Sequence, residues 1–98
     1  MRIVAKRAGQ MPVVEEIADD LKSFNRFVGG YIEMVPMVEE GIYMVCNEEG
    51  KLIGLDVNFY TEFDTIVGDV LFCGRDRENE VSLTDEQIQK VMEYFNEK

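Results

Sequence analysis

The 98-residue chain contains no histidine and only two cysteines, Cys46 and Cys73. The usual His/Cys zinc sites and the Cys-His and Ser-His catalytic sets are therefore excluded within one chain. It also lacks a G-x-x-x-x-G-K-[ST] loop. Its double glycine, Gly29-Gly30, follows a run of helical spacing rather than preceding one, so neither the P-loop nor the dinucleotide fingerprint applies. No apolar run approaches the roughly 18 residues needed to cross a bilayer, and the opening RIVAKRAGQ lacks the apolar centre of a signal peptide. A reducing cytoplasm is the expected compartment. Cationic side chains are scarce as well: ten Lys and Arg stand against twenty Asp and Glu, for a net charge of -10. Such a field repels nucleic acid and anionic membranes and suits a basic partner.

What is present is an ordinary globular composition, 46% apolar with six Phe and four Tyr, in a length that suits one domain spanning residues 1–98. The carboxylates are spread from Glu15 to Glu97 without a long block, as on solvated faces. Cys46 and Cys73 stand in the apolar runs MVCN and LFCG, the setting of buried, reduced thiols.

RIVAK at 2–6 reads as a first strand. Pro12, followed by apolar Val14, Ile17, Leu21, Phe24 and Val28 at 3-4-3-4 spacing, predicts a helix over about 12–28, ended by Gly29 in a left-handed conformation. Residues 31–38 alternate as a strand, which Pro36 confines to an edge or interrupts. GIYMVCN at 41–47 is a second strong strand, and the turn NEEGK predicts a hairpin to LIGLDV. Residues 58–65 show no clean period and read as a loop or a short helical turn. IVGDVLFC at 66–73 reads as a central strand, and RDRENEVS as a polar excursion. Thr84 with Gln87 forms a capping box ahead of a final helix with Ile88, Val91, Met92 and Phe95 on one stripe. The predicted fold is α+β: a small, mostly antiparallel sheet of four or five strands packed against two amphipathic helices.

Candidate binding residues follow from what these elements leave unexplained. Gly30, Tyr31 and Glu33 set bare backbone, an aromatic plane and an acceptor side by side, or they are ordinary edge-strand residues. Asn58 either caps a turn or presents an amide that reads a ligand. Asp69 interrupts an apolar strand, so it faces a pocket or marks a bulge beside Gly68. Arg26, Arg75 and Arg77 are the cations available to a phosphate-bearing ligand, and the latter two lie in a charge-alternating loop. The carboxylate pairs, including NEEG at 47–50, have no metal-ligand spacing. No cofactor is implied.

VGGYIEMVP at 28–36, VCNEEGKLIGLDVN at 45–58, IVGDVLFCG at 66–74 and SLTDEQIQKVMEYF at 82–95 together resemble the Domain of Unknown Function 3846 family. Gly29, Gly30, Tyr31, Glu33, Gly50, Asn58, Gly68 and Asp69 match its pattern, and Asp56 stands where that pattern has proline. The resemblance implies a small protein of bacteriophages and mobile elements and brings no established activity. In that context two non-enzymatic roles are expected. One is an anti-defence sponge that sequesters a nucleotide-derived immune signal by affinity alone, with Gly30, Tyr31, Glu33, Asn58, Asp69, Arg26 and Arg75 as its ligand residues. The other is an acidic interaction protein, or nucleic-acid mimic, that covers the basic groove of a host defence nuclease. A homo-oligomer is expected in either case.

Overall fold

The structure, a computed structural model, describes residues 1–97. The chain runs through β1 (Arg2–Lys6), β2 (Val13–Glu16), α1 (Leu21–Val28), β3 (Ile32–Pro36), β4 (Ile42–Asn47), β5 (Val57–Tyr60), β6 (Thr65–Val67), β7 (Val70–Asp76), β8 (Asn79–Val81) and α2 (Asp85–Asn96). Six strands form one antiparallel sheet in the order β2-β1-β7-β4-β3, with β8 paired to the far end of β7. β5 and β6 form a separate two-stranded ribbon. The α+β class read from the sequence is thus present, with more strands than the four or five expected.

β7 is central because it is apolar on both faces, from Val70 to Cys73, and the sheet is covered on both sides. Ile3, Ala5, Val45, Leu71 and Cys73 point toward Phe24 and Val28 of α1. Val4, Met44, Val70 and Phe72 point the other way, toward Phe59 and Ile66 of the ribbon and Ile88 and Val91 of α2. Phe95 knits that second layer, meeting Phe59 edge-on at 4.9 Å and Phe72 at 5.7 Å. α2 begins at the expected capping box: Thr84 Oγ1 accepts from Gln87 N at 3.1 Å and Gln87 Oε1 from Thr84 N at 2.9 Å.

Several expectations are corrected. The helix predicted over 12–28 is a strand, a link and a short helix. Val13 and Val14 favour extended backbone, and β2 gains a ladder with β1, pairing Val4 with Val14 and Ile3 with Glu15. Asp20, with φ −151° and its carboxylate accepting from Ser23 N at 2.7 Å, begins the helix instead. Of the presumed stripe, only Phe24 and Val28 are buried.

The hairpin predicted at NEEGK does not form, because the second neighbour of β4 is β7. Residues 48–56 are a chain of turns, closed by Ile53 N to Glu49 O at 3.1 Å and Leu55 N to Gly50 O at 3.0 Å. The stretch expected as a loop or a short helical turn at 58–65 forms most of the β5–β6 ribbon. Its turn is locked by Thr61 N donating to Asp64 O at 2.8 Å and Asp64 N to Thr61 Oγ1 at 2.9 Å.

The strand expected over 66–73 is broken at Gly68, with φ +76°, into β6 of the ribbon and β7 of the sheet, and the polar excursion at 75–82 is a hairpin between β7 and β8, turning at Arg77 with φ +60°. β3 is a sheet edge with Pro36 at its end, as the proline requires. Both thiols are free, Cys73 buried and Cys46 half-buried. Among the described residues no helix is long and apolar enough to cross a membrane.

Candidate functional site

The seven candidate residues do not converge on one concavity. Gly29 ends α1 with φ +82°, and both it and Gly30 donate backbone N–H groups to Asn25 O, at 2.8 and 3.0 Å. A Cβ on Gly30 would stand 2.9 Å from Asn47 Nδ2, so side-chain packing already accounts for this glycine. Tyr31 is 71% exposed, and its carbonyl accepts from Glu48 N at 2.9 Å. Arg26 is exposed in the last turn of α1, where the helix dipole favours a cation. Arg75 leans over the Tyr43 ring at 5.4 Å.

Asn58 sits at an irregularity of the ribbon, between the paired residues Val57 and Phe59. The bulge turns its side chain toward β1. There Nδ2 donates to the carbonyls of Lys6 and Gly68, both at 2.7 Å, and Oδ1 accepts from Lys6 Nζ at 2.8 Å. Three bonds leave this amide little capacity for a ligand and make it a clasp between ribbon and sheet.

Lys6 is itself buried, its ammonium also donating to Arg7 O at 3.1 Å, and burial lowers its pKa against the opposing pull of Asp69. Asp69 accepts from Ala8 N at 3.0 Å. With Gly68, Ala8, Phe27 and Gly29 it borders a shallow depression of about 230 Å³. Asp69 and the glycine corner are therefore brought together, but the neighbouring cations are engaged: Lys6 as above, and Arg7 by Glu15, whose Oε1 it meets at 3.0 Å through its second guanidinium nitrogen.

A larger concavity lies elsewhere. Between edge strand β3, the tip of the ribbon and α2 runs an open groove of about 670 Å³. Its apolar lining comes from Val35, Met37 and Val38 on one side and from Met44, Cys46 and Ile66. Glu33, Glu62 and Asp64 are its charged residues, and Phe63 at the ribbon tip is 92% exposed. An adjoining hollow of about 150 Å³ adds Glu48, Glu49 and Lys51, and the Lys51 ammonium is bound to Asp64. That bond, ahead of the one from Thr65 N, holds the Asp64 carboxyl below its ordinary range.

Two features of the groove bear on its chemistry. Burial pushes the Cys46 thiol up to about 11, with Glu33 and Asp64 adding to the effect, so it is protonated and unreactive near neutral pH. Val38 has φ +78°, a left-handed conformation that β-branched residues rarely adopt, at a cost of about 1–3 kcal/mol. No group of three or more His, Cys, Asp or Glu is arranged to hold a metal among the described residues.

Of the seven candidates, Glu33 alone lines this groove. The sequence does not single out Phe63, because residues 58–65 carry no long period, nor Val35, Met37 and Val38, which read only as part of the strand at 31–38. The available signal was the alternation of Phe59 and Tyr60 ahead of a polar T-E-F-D turn, a hairpin pattern with an aromatic left at its tip.

The family model described as Domain of unknown function (DUF3846) matches residues 1–96, and the chain belongs to that family. No curated protein and no solved structure matches it.

Proposed function

Starting from that membership, we propose that the chain is a non-catalytic, acidic interaction protein that docks a basic partner protein in the groove between β3 and the ribbon tip. The observation that supports this reading is the lining of the groove. An apolar floor suits a buried aliphatic or aromatic anchor, Glu33, Glu62 and Asp64 suit Arg or Lys around it, and Phe63 stands out as an anchor toward the partner. A net charge of -10 would speed the encounter with a basic surface. In a phage setting the partner class is a basic host defence enzyme.

Sequestration of a nucleotide-type signal has less support from this geometry. A phosphate needs a cation or convergent N–H groups, and Lys51, the cation beside the groove, is already paired with Asp64.

Synthetic peptides that place Arg beside Leu or Phe should bind the wild-type protein, more weakly as salt rises, and lose about tenfold or more in affinity to Phe63→Ser. Equal binding by acidic control peptides, or indifference to Phe63→Ser, would remove the reading. A melting temperature raised by cyclic dinucleotides or cyclic ADP-ribose isomers, with no effect from basic peptides, would favour sequestration instead.

A further inference from the structure

The opposite edge of the sheet has a different character. β2 pairs with β1 on one side only, and its burial is the least of any strand in the sheet: Val13 is 46% exposed and Val14 37%, beside Met11 at 72%. The register pairs Val13 with Ala5 and Val14 with Val4. Cross-strand partners share a face, so Val13 extends the apolar layer toward α1 and Val14 extends the layer toward α2. Both layers simply stop at this edge.

The carboxylates of β2 do not repel a neighbour as the chain's net charge of -10 would suggest. Glu15 is held by Arg7, and the Met1 ammonium lies 3.5 Å from Glu16, while Arg2, opposite Glu16 in the ladder, is paired with Asp85 at 2.6 Å. In a strongly acidic molecule this is a charge-balanced, unpaired strand with two exposed valines and no inward lysine, and its proline, Pro12, stands ahead of it rather than within it.

We infer that β2 is a dimer interface, pairing antiparallel with β2 of a second copy about a two-fold axis through Val14. In that register Val14 faces its own symmetry mate. Val13 faces the second copy's Glu15, whose charge its own Arg7 already offsets. The contact is self-complementary, as a two-fold interface requires, and it joins both apolar layers of one sheet to those of the next. This surface is separate from the β3 groove, and its salt dependence has the opposite sign. Two chains of like charge repel over long range, so salt strengthens this dimer while it weakens docking of a basic partner.

The test is the mass of the full chain by light scattering across a concentration series, at low and high salt. A two-chain mass that forms more readily at high salt, reverts to one chain with Val14→Lys, and is captured as an intermolecular disulfide by Val14→Cys but not by Val35→Cys supports the interface. Circular dichroism checks that Val14→Lys remains folded, and Val14→Thr, which keeps the strand preference without adding charge, should still dimerise. A single-chain mass up to millimolar concentration, or a dimer unmoved by folded Val14→Lys, overturns it. Neither result depends on whether basic peptides bind at β3.

Discussion

The Asn47 side chain fills the space that a side chain at residue 30 would need: its Nδ2 lies 2.9 Å from where a Cβ on Gly30 would be. That same nitrogen donates to Val28 O at 3.1 Å, while Oδ1 accepts from Glu49 N at 2.8 Å. Asn47 is buried, so it ties the end of α1 to the end of β4 in a place where unmade bonds are costly. Gly30→Ala should therefore push the amide out of line, and Asn47→Ala should leave Val28 O without this donor, each at about 1–3 kcal/mol in urea unfolding. The double variant should cost clearly less than the sum, because the alanine at 47 removes the obstruction. Strict additivity would mean that the two residues act independently.

Asn58 invites the same treatment for a different reason. Its amide joins β1 to the ribbon through three bonds, so Asn58→Ala should destabilise by about 2–4 kcal/mol, well beyond the effect of an exposed turn residue. Asn58→Asp keeps the acceptor for Lys6 but cannot donate to the carbonyls of Lys6 and Gly68, and it should recover only part of the loss. If Asn58→Ala leaves the urea midpoint unchanged, the clasp has no energetic weight.

These two asparagines mark where sequence reading succeeds and where it stops. The capping box of α2, the left-handed Gly29, the edge position of Pro36 and the central apolar run from Val70 to Cys73 are local signals, legible because the residues that cause them are neighbours; the break at Gly68 that divides the strand read over 66–73 between two sheets was not. The Val14-to-Val28 spacing misled because a helical period can be assembled across a strand and a helix, and the cross-strand partner Val4 lies ten residues earlier. Gly30 and Asn58 looked like ligand residues because their structural partners, Asn47, Lys6 and Gly68, are brought to them only by the folded sheet. The groove was illegible for a related reason: its lip and floor come from the consecutive strands β3 and β4, but its tip and far wall come from the ribbon and α2, which only the fold brings beside them.

Glu15 gives the fold a defined acid response. Hydrogen bonds from Arg7 are the leading cause that holds its carboxyl below the ordinary 4.5, and Arg7 also covers the Phe27 ring at 5.1 Å. A carboxyl whose pKa is lower in the folded chain stabilises that chain in full above its unfolded value. The contribution is lost as pH falls through the folded value. Both partners are about one-third exposed, so solvent screening limits the pair to about 1 kcal/mol or less. The stability gap between wild type and Glu15→Gln should be constant at neutral pH and close progressively below about pH 4.5. A gap that widens on acidification would contradict the direction assigned to Glu15.

Cys46 supplies a reporter inside the proposed docking groove. Its thiol, pushed from 9.0 up to about 11 chiefly by burial, holds roughly 100-fold less thiolate at pH 8 than an unperturbed cysteine of that reference value, and alkylation should be slowed to a similar degree. Cys73, pushed up to about 12 within the sheet, should not compete for the reagent while the chain is folded. Because the Glu33 carboxylate adds to the Cys46 shift, Glu33→Gln should speed alkylation, and raising the pH toward 11 should speed it further. A basic peptide in the groove covers the sulfur and should protect it, even though its positive charge alone would favour the thiolate. Protection that is lost with Phe63→Ser, measured by mass spectrometry of the alkylated chain, would tie binding to this groove. Faster alkylation on adding peptide would instead place the peptide's charge nearby without occupancy of the floor.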